Sequence, residues 1–251
     1  MKKESRHHCN SCNTTYSVTV GTIFHKTKID IRRWFVAISL VLNAKKGISA
    51  RQMARDIDVN KNTAWLMLMR IRRAMIEHGD MLQGIVEADE TYVGGKQRNK
   101  HSDKKPKGGG TQGRNTKTKV PVFGVLQRGG KIKAGKVKNV TKKTLQTVIR
   151  LLVKEGSQIM TDEWGSYNGL SEKFTHGVVS HGEGQYVNGI AHTNTIEGFW
   201  ALLKRGIFGQ YHQVSKKHLN KYINEFCFRY NYRNDASVFD LLLSKSVSLP
   251  Q

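Results

Sequence analysis

The chain has 251 residues, with 42 Lys plus Arg against 19 Asp plus Glu, a formal net charge of +23 at pH 7. Such a charge self-repels unless a polyanion neutralises it, so nucleic acid is the leading partner and an anionic membrane surface the second. A hydrophobic content of 38% with only 3 Pro argues against wholesale disorder, and the length allows one large domain or two to three small ones. The absence of any apolar run of about 18 residues excludes a helical membrane span. The absence of an apolar stretch after Met1-Lys2-Lys3 argues against a secretory signal, and three cysteines, one isolated, make no disulfide framework. The expectation is a cytoplasmic, nucleoid-associated protein with no membrane partner.

Residues 1–26 read as a small arm holding Cys9-Asn10-Ser11-Cys12. Structural zinc takes four ligands, which ribbons supply as two separated C-x-x-C pairs. Only one pair is present, so Cys9 and Cys12 are either half of a zinc site or two free thiols. Residues 27–80 read as a small all-α domain. Asp30 caps a helix carrying Trp34, Phe35, Ile38, Val41 and Leu42, with Gly47 as its stop. Ser49-Ala50-Arg51-Gln52 is a capping box opening a short helix that ends near Ile57. After the turn Asp58-Val59-Asn60, a longer helix begins near Lys61 with Ala64, Leu68, Ile71 and Met75 as its core stripe. This is a helix-turn-helix pattern, whose second helix presents its first residues to the major groove. Lys61, Asn62, Thr63 and Trp65 occupy those positions, with Arg70, Arg72 and Arg73 available for phosphates. The alternative is a basic helical hairpin that binds nothing.

From residue 81 the pattern becomes α/β. Residues 84–95 form a β-rich run ended by glycines, and 96–119 hold nine Lys or Arg against one acid, a basic loop that is either a solvated linker or a tracker of DNA. Val120–Gln127 and Lys131–Val140 read as a hairpin about Gly129-Gly130. Thr141 caps a helix with the stripe Leu145, Val148, Ile149, Leu152 and Val153. Strands are expected near 159–161 and 178–179. Two helices, about 195–205 and 216–232, finish the domain at its C-terminal end. Cys227 lies on the second helix's apolar stripe and reads as core.

In so cationic a chain, acids on strands are informative. Asp89 lies within the first strand of the α/β region and Asp162 ends the fourth. A carboxylate there is costly unless it pairs with Lys or Arg or binds a metal. Mg²⁺ takes hard oxygen ligands, and neighbouring strands bring such residues within about 5 Å. A third member from a helix is Glu197, which shares a face with Asn194 and Lys204, three and seven residues away. Glu87 shares the face of Asp89 and is a supporting acid; Glu90 faces the other way. His176, His181, His192 and His212 have no zinc-type spacing and read as surface or DNA-contacting.

Asp-Glu-Thr-Tyr-Val-Gly-Gly-Lys at 89–96, Thr-Asp-Glu-Trp-Gly-Ser-Tyr at 161–167 and His-Thr-Asn-Thr-Ile-Glu-Gly-Phe-Trp at 192–200 together resemble a bacterial insertion-sequence transposase. The family is the ISXO-like one, with a zinc ribbon, a helix-turn-helix and an RNase H-like DDE catalytic domain. Gly-Thr-Ile-Phe-His-Lys-Thr at 21–27 and Gly-Gln-Tyr-His-Gln-Val-Ser at 209–215 fit it as well. The resemblance implies an RNase H-like mixed sheet with flanking helices over 81–251, and Asp89 and Asp162 as the first two catalytic carboxylates. The third is Glu197, with Asn194 as competitor; the 34 residues between Asp162 and Glu197 favour the former. Lys204 would touch substrate phosphate. Arg51, Lys96 and Arg205 complete the residues assigned to DNA. Asp89, Asp162 and Glu197 would hold Mg²⁺ or Mn²⁺. Zinc at Cys9 and Cys12 is an incomplete site, because the chain begins just before the second pair of a full ribbon, as in an N-terminally shortened copy.

The activity so implied is two-metal phosphoryl transfer: cleavage at transposon ends, then attack of the freed 3′-hydroxyl on target DNA, by a homo-oligomer on double-stranded DNA. The competing readings are a catalytically inactive, transposase-derived DNA-binding protein and an RNase H-like nuclease without strand transfer.

Overall fold

The change of hydrophobic period near residue 81 corresponds to a change of structural unit. The computed structural model describes residues 6–94, 119–179 and 192–248. Its contacts divide the chain into two units, one running to Ile76 and resuming at Asn234, the other Glu77–Arg233. The basic loop, apart from Lys119, lies outside the described residues, as do Lys96 and His181.

The first unit begins with an exposed antiparallel hairpin, β1 (Arg6–Cys9) and β2 (Thr14–Ser17). Its strands carry no alternating apolar residues, which is why the sequence gives no sign of them. Helix α1 (Ile31–Asn43) starts at Asp30, whose carboxylate accepts from the Arg32 amide at 2.9 Å. It buries Trp34, Ala37, Ile38 and Val41, while Phe35 stays 36% exposed. Helix α2 (Ala50–Asp56) starts at Ser49, whose Oγ accepts from the Gln52 amide at 3.1 Å. Gln52 donates onward to Asp56, so the capping box forms in one direction. Asp58 turns the chain at a left-handed φ of 50°, and α3 (Lys61–Ala74) follows from Asn60. Its stripe Ala64, Leu68, Ile71 and Met75 is buried as the spacing requires.

A C-terminal helix, Val238–Val247, completes this unit. It corrects both the expected count of helices and the assignment of 81–251 to one domain. Phe239 meets Phe35 edge to face at 6.5 Å, and the Ser246 carbonyl accepts from the Ile23 amide at 3.0 Å. The near-continuous apolar run from Val238 to Leu243 shows no stripe, so periodicity does not reveal this helix.

The second unit holds a five-stranded sheet of order β5-β4-β3-β6-β7. Its strands are β3 (Ile85–Val93), β4 (Val120–Gln127), β5 (Ile132–Lys136), β6 (Gln158–Asp162) and β7 (Thr175–Val179). Strand β4 pairs antiparallel with both β3 and β5, β6 pairs parallel with β3, and β7 pairs parallel with β6. This is the mixed sheet with flanking helices expected of an RNase H-like fold. Period-two alternation sends Val120, Val122 and Leu126 into one core, with α5 (Asn194–Arg205) and α6 (Leu219–Asn231), and Phe123 and Val125 into the other, with α4 (Lys142–Leu152). Helix α6 sheathes the β5 edge: Asn231 and Asn220 side-chain oxygens accept from the Ile132 and Lys136 amides at 2.7 and 2.8 Å. Glu77, where the unit begins, accepts from Asn231 Nδ2 at 2.6 Å and from the Tyr232 hydroxyl, where it ends.

Leu242 on the C-terminal helix is fully buried. Leu242→Ala is therefore expected to destabilise the first unit by about 2–5 kcal/mol. Calorimetry and limited proteolysis should show that transition lowered and the Glu77–Arg233 unit unaffected.

Candidate active site

Strand parity determines which acids meet. Glu87 and Asp89 point from β3 toward the α5 side, and Glu90 points to the other, where it accepts from the Tyr167 hydroxyl at 2.7 Å. The parallel ladder of β3 with β6 runs from Ile85↔Gln158 to Glu87↔Met160. Two residues beyond that last rung lie Asp89, midway along β3, and Asp162, the last residue of β6, on the same face of adjacent strands. Both are half-buried, and α5 places the exposed Glu197 over that face.

The three acids share one electrostatic neighbourhood. Asp89 is pushed up to about 7, first by burial and then by the negative charge of Glu90, with Asp162 and Glu197 adding to the rise and a bond to the Glu90 backbone opposing it. Asp89 Oδ2 accepts from Trp200 Nε1 at 3.0 Å, and Asp162 Oδ1 from the Trp164 amide at 3.1 Å. Glu197 Oε1 accepts from Thr193 Oγ1 at 2.8 Å. Mutually repelling carboxylate oxygens suit a hard divalent cation. Among the described residues, however, no three His, Cys, Asp or Glu side chains are arranged to hold a metal ion. Asp89 and Asp162 are thus the pair whose chemistry and placement fit Mg²⁺ or Mn²⁺, with Glu197 bonded to Thr193. Asn194, the first residue of α5, is exposed; Lys204 lies roughly 10 Å along the helix from Glu197, exposed beside Arg205.

Glu87 fixes α5 to the sheet. It is fully buried, and Oε1 accepts from Arg128 Nε at 2.7 Å and Thr195 Oγ1 at 2.9 Å, with His192 Nδ1 3.3 Å away. Oε2 accepts from the Ile196 amide at 2.9 Å. A carboxylate at a helix N-terminus satisfies an amide that has no partner within the helix. Arg128 also donates to the His192 carbonyl at 2.7 Å, so it holds the chain entering α5. The sequence assigns no functional role to Arg128, Thr195 or Trp200, although the last two fall within the motif at 192–200. A buried acid on β3 demands a cation, which is the signal for Arg128. An isolated glycine within a strand, Gly124, marks a close approach and is the signal for Trp200.

The remaining candidates separate by exposure. Arg51, Lys61, Asn62, Trp65 and Arg73 are exposed and Thr63 is half-buried. Arg72 is 1% exposed, which removes it as a phosphate contact. Arg70 donates to the Ile23 and His25 carbonyls at 3.0 and 2.8 Å and so ties the unit's own backbone. His192 sits against Glu87, and His176 Nε2 lies 2.9 Å from Thr161 Oγ1 with its pKa lowered by burial, so neither is a surface histidine; His212 is exposed. Cys9 and Cys12 form no disulfide, and hydrogen bonding, chiefly with the Thr14 side chain, holds Cys12 below its ordinary value. Burial in the α6 core pushes Cys227 up to about 12, as befits a packing residue.

The model of the ISXO2-like transposase domain matches residues 81–231. An uncharacterized protein in transposable element ISH50 of Halobacterium salinarum is 32% identical over 231 residues, covering 89% of this chain and 78% of that one. An uncharacterized transposase-like protein of Haemophilus influenzae is 30% identical over 107 residues, 42% of this chain and 85% of that one. Among solved structures, the Mos1 strand transfer complex is similar at a TM-score of 0.35 and 12% identity, over 88% of this chain and 80% of that chain.

Removing the Glu87 carboxylate leaves Arg128 and the start of α5 without their acceptor. Glu87→Ala should cost about 3–5 kcal/mol in urea unfolding. Asp89 gives a pH signature of the opposite sign. Its folded pKa of about 7 stands above the ordinary 3.8, so metal-free stability falls as pH rises between those values. Asp89→Asn should match wild type near pH 4 and exceed it at pH 8, by at most about 4 kcal/mol, in thermal unfolding without metal.

Proposed function

Because the chain belongs to the ISXO2-like transposase family, we propose that Asp89 and Asp162 are the carboxylates with which it cleaves DNA at element ends and joins the freed 3′ ends to target DNA. The observation that carries this reading is the placement of Asp89 and Asp162 on one face of the adjacent parallel strands β3 and β6, beneath Glu197 of α5. Asp89 and Asp162 would hold Mg²⁺ or Mn²⁺, with Glu197 as third ligand and Asn194 as its competitor. The chemistry supplied there by the bound cation is a lowered pKa for the attacking water or 3′-hydroxyl and stabilisation of the leaving oxygen.

The chain's own residues supply the geometry. The sheet fixes the two aspartates on one face, and Glu87 fixes the helix that brings Glu197 over them. Lys204 and Arg205, exposed on the last turn of α5, would contact backbone phosphate. In the first unit Lys61, Asn62 and Thr63 open α3 and are the candidate contacts to base edges, with Arg51 and Arg73 as phosphate contacts. The charge of +23 supports a DNA partner, and Arg70 and Arg72 have no part in this reading. Action on paired ends implies at least a dimer on DNA.

One observation favours a second reading, a DNA-binding relative without catalysis: among the described residues no three potential ligands are gathered for a metal. A strand-transfer assay with 3′-labelled ends and Mg²⁺ separates the readings. Joined product is the expected result, with Asp89→Asn and Asp162→Asn abolishing it while DNA binding persists. Cut ends without joining would make the protein a nuclease only, and neither product would leave the binding function alone. Wild-type cleavage by either variant removes the site assignment.

A further inference from the structure

Trp200 has the burial of a core residue and the hydrogen bond of something more specific. It is 3% exposed and packs against Phe199 at 5.3 Å, yet its indole N–H donates to Asp89 Oδ2 at 3.0 Å. Opposite Asp89 on β4 stands Gly124. A Cβ at position 124 would lie 2.8 Å from Trp200 Cη2, 2.9 Å from Cζ2 and 3.2 Å from the Ala134 Cβ. Those ring atoms lie on the same side of the indole as its nitrogen. The backbone of Gly124 does not adopt a positive φ, so conformation is not what requires glycine there. Glycine within a strand weakens it, and the missing side chain here is the space filled by the indole edge.

We infer that Trp200, seated in the gap left by Gly124, is a positioning residue for the Asp89 carboxylate, fixing by its N–H the orientation in which that group meets a divalent cation. The inference rests on the reading of Asp89 as a metal-binding carboxylate. A ligating carboxylate with free rotation loses affinity, and hydrogen bonds from neighbouring groups remove that freedom. Phenylalanine at 200 keeps most of the apolar packing and loses the donor. Alanine at 124 keeps the donor and displaces the ring that carries it. Both changes thus strike the same bond from opposite sides, which packing alone does not predict.

The test uses the full chain and Mn²⁺ alone, titrated by the electron paramagnetic resonance of the free ion, into wild type, Trp200→Phe, Gly124→Ala, the double variant and Asp89→Asn. Trp200→Phe and Gly124→Ala should each weaken binding about 10- to 100-fold, and the double variant no more than Trp200→Phe alone. Of the four tryptophan indole N–H signals, the one missing from Trp200→Phe should shift in Asp89→Asn and on addition of Mg²⁺, while those of Trp34 and Trp65, in the other unit, stay. Loss of Mn²⁺ binding in Asp89→Asn with wild-type affinity in Trp200→Phe overturns the role of Trp200 and leaves Asp89 as a ligand. Undiminished binding in Asp89→Asn removes the carboxylate reading and the inference with it. Should Trp200→Phe not fold, Gly124→Ala decides: wild-type Mn²⁺ affinity there, with every indole signal in place, overturns the proposal.

Discussion

A single buried carboxylate holds the second unit's functional face together. Glu87 takes bonds from Arg128 on the β4–β5 connection, from the Thr195 hydroxyl and from the Ile196 amide in the first turn of α5. The donors come from two stretches of chain, the β4–β5 connection and the start of α5, and together they satisfy an acid that burial would otherwise make very costly. The same contacts fix where α5 begins over the sheet. Everything proposed for Glu197, Asn194 and Trp200 depends on that starting point.

Given this anchor, the separation of roles among the acids follows from the pleat. Glu87 and Asp89 differ by two residues and share a face, but one is fully enclosed by donors and the other sits in an acidic neighbourhood beside the end of β6. Glu90, one residue on, crosses to the opposite face and binds Tyr167. Three acids within four positions therefore have three different environments. Only one of them faces Asp162.

The sheet was legible in the sequence because its strands alternate or run apolar between glycines, and β4 lies at the residues the pattern marks. Asp89 and Asp162 were legible as acids embedded in strands of a strongly cationic chain. The Arg128 and Trp200 contacts were not, because each joins residues separated by 41 and 111 positions, and spacing within one element carries no trace of such a pairing. Arg70 and Arg72 misled for a related reason. On an amphipathic helix a basic residue reads as exposed, but Arg70 reaches backbone carbonyls near residue 23 and Arg72 is enclosed. The C-terminal helix was not legible because its apolar residues are bunched in one run, Val238 to Leu243, rather than spaced along a face.

The path of the chain through its two units has a topological meaning. Helices at both ends of the sequence complete one core, and Glu77–Arg233 lies between them in the manner of a guest segment spliced into a host. Glu77 grips Asn231 and Tyr232, so the guest's two termini already meet. Excision at those termini would cut through no strand or helix of the sheet-bearing part, whereas the host, left in two fragments, would need a new covalent link between them to regain its core.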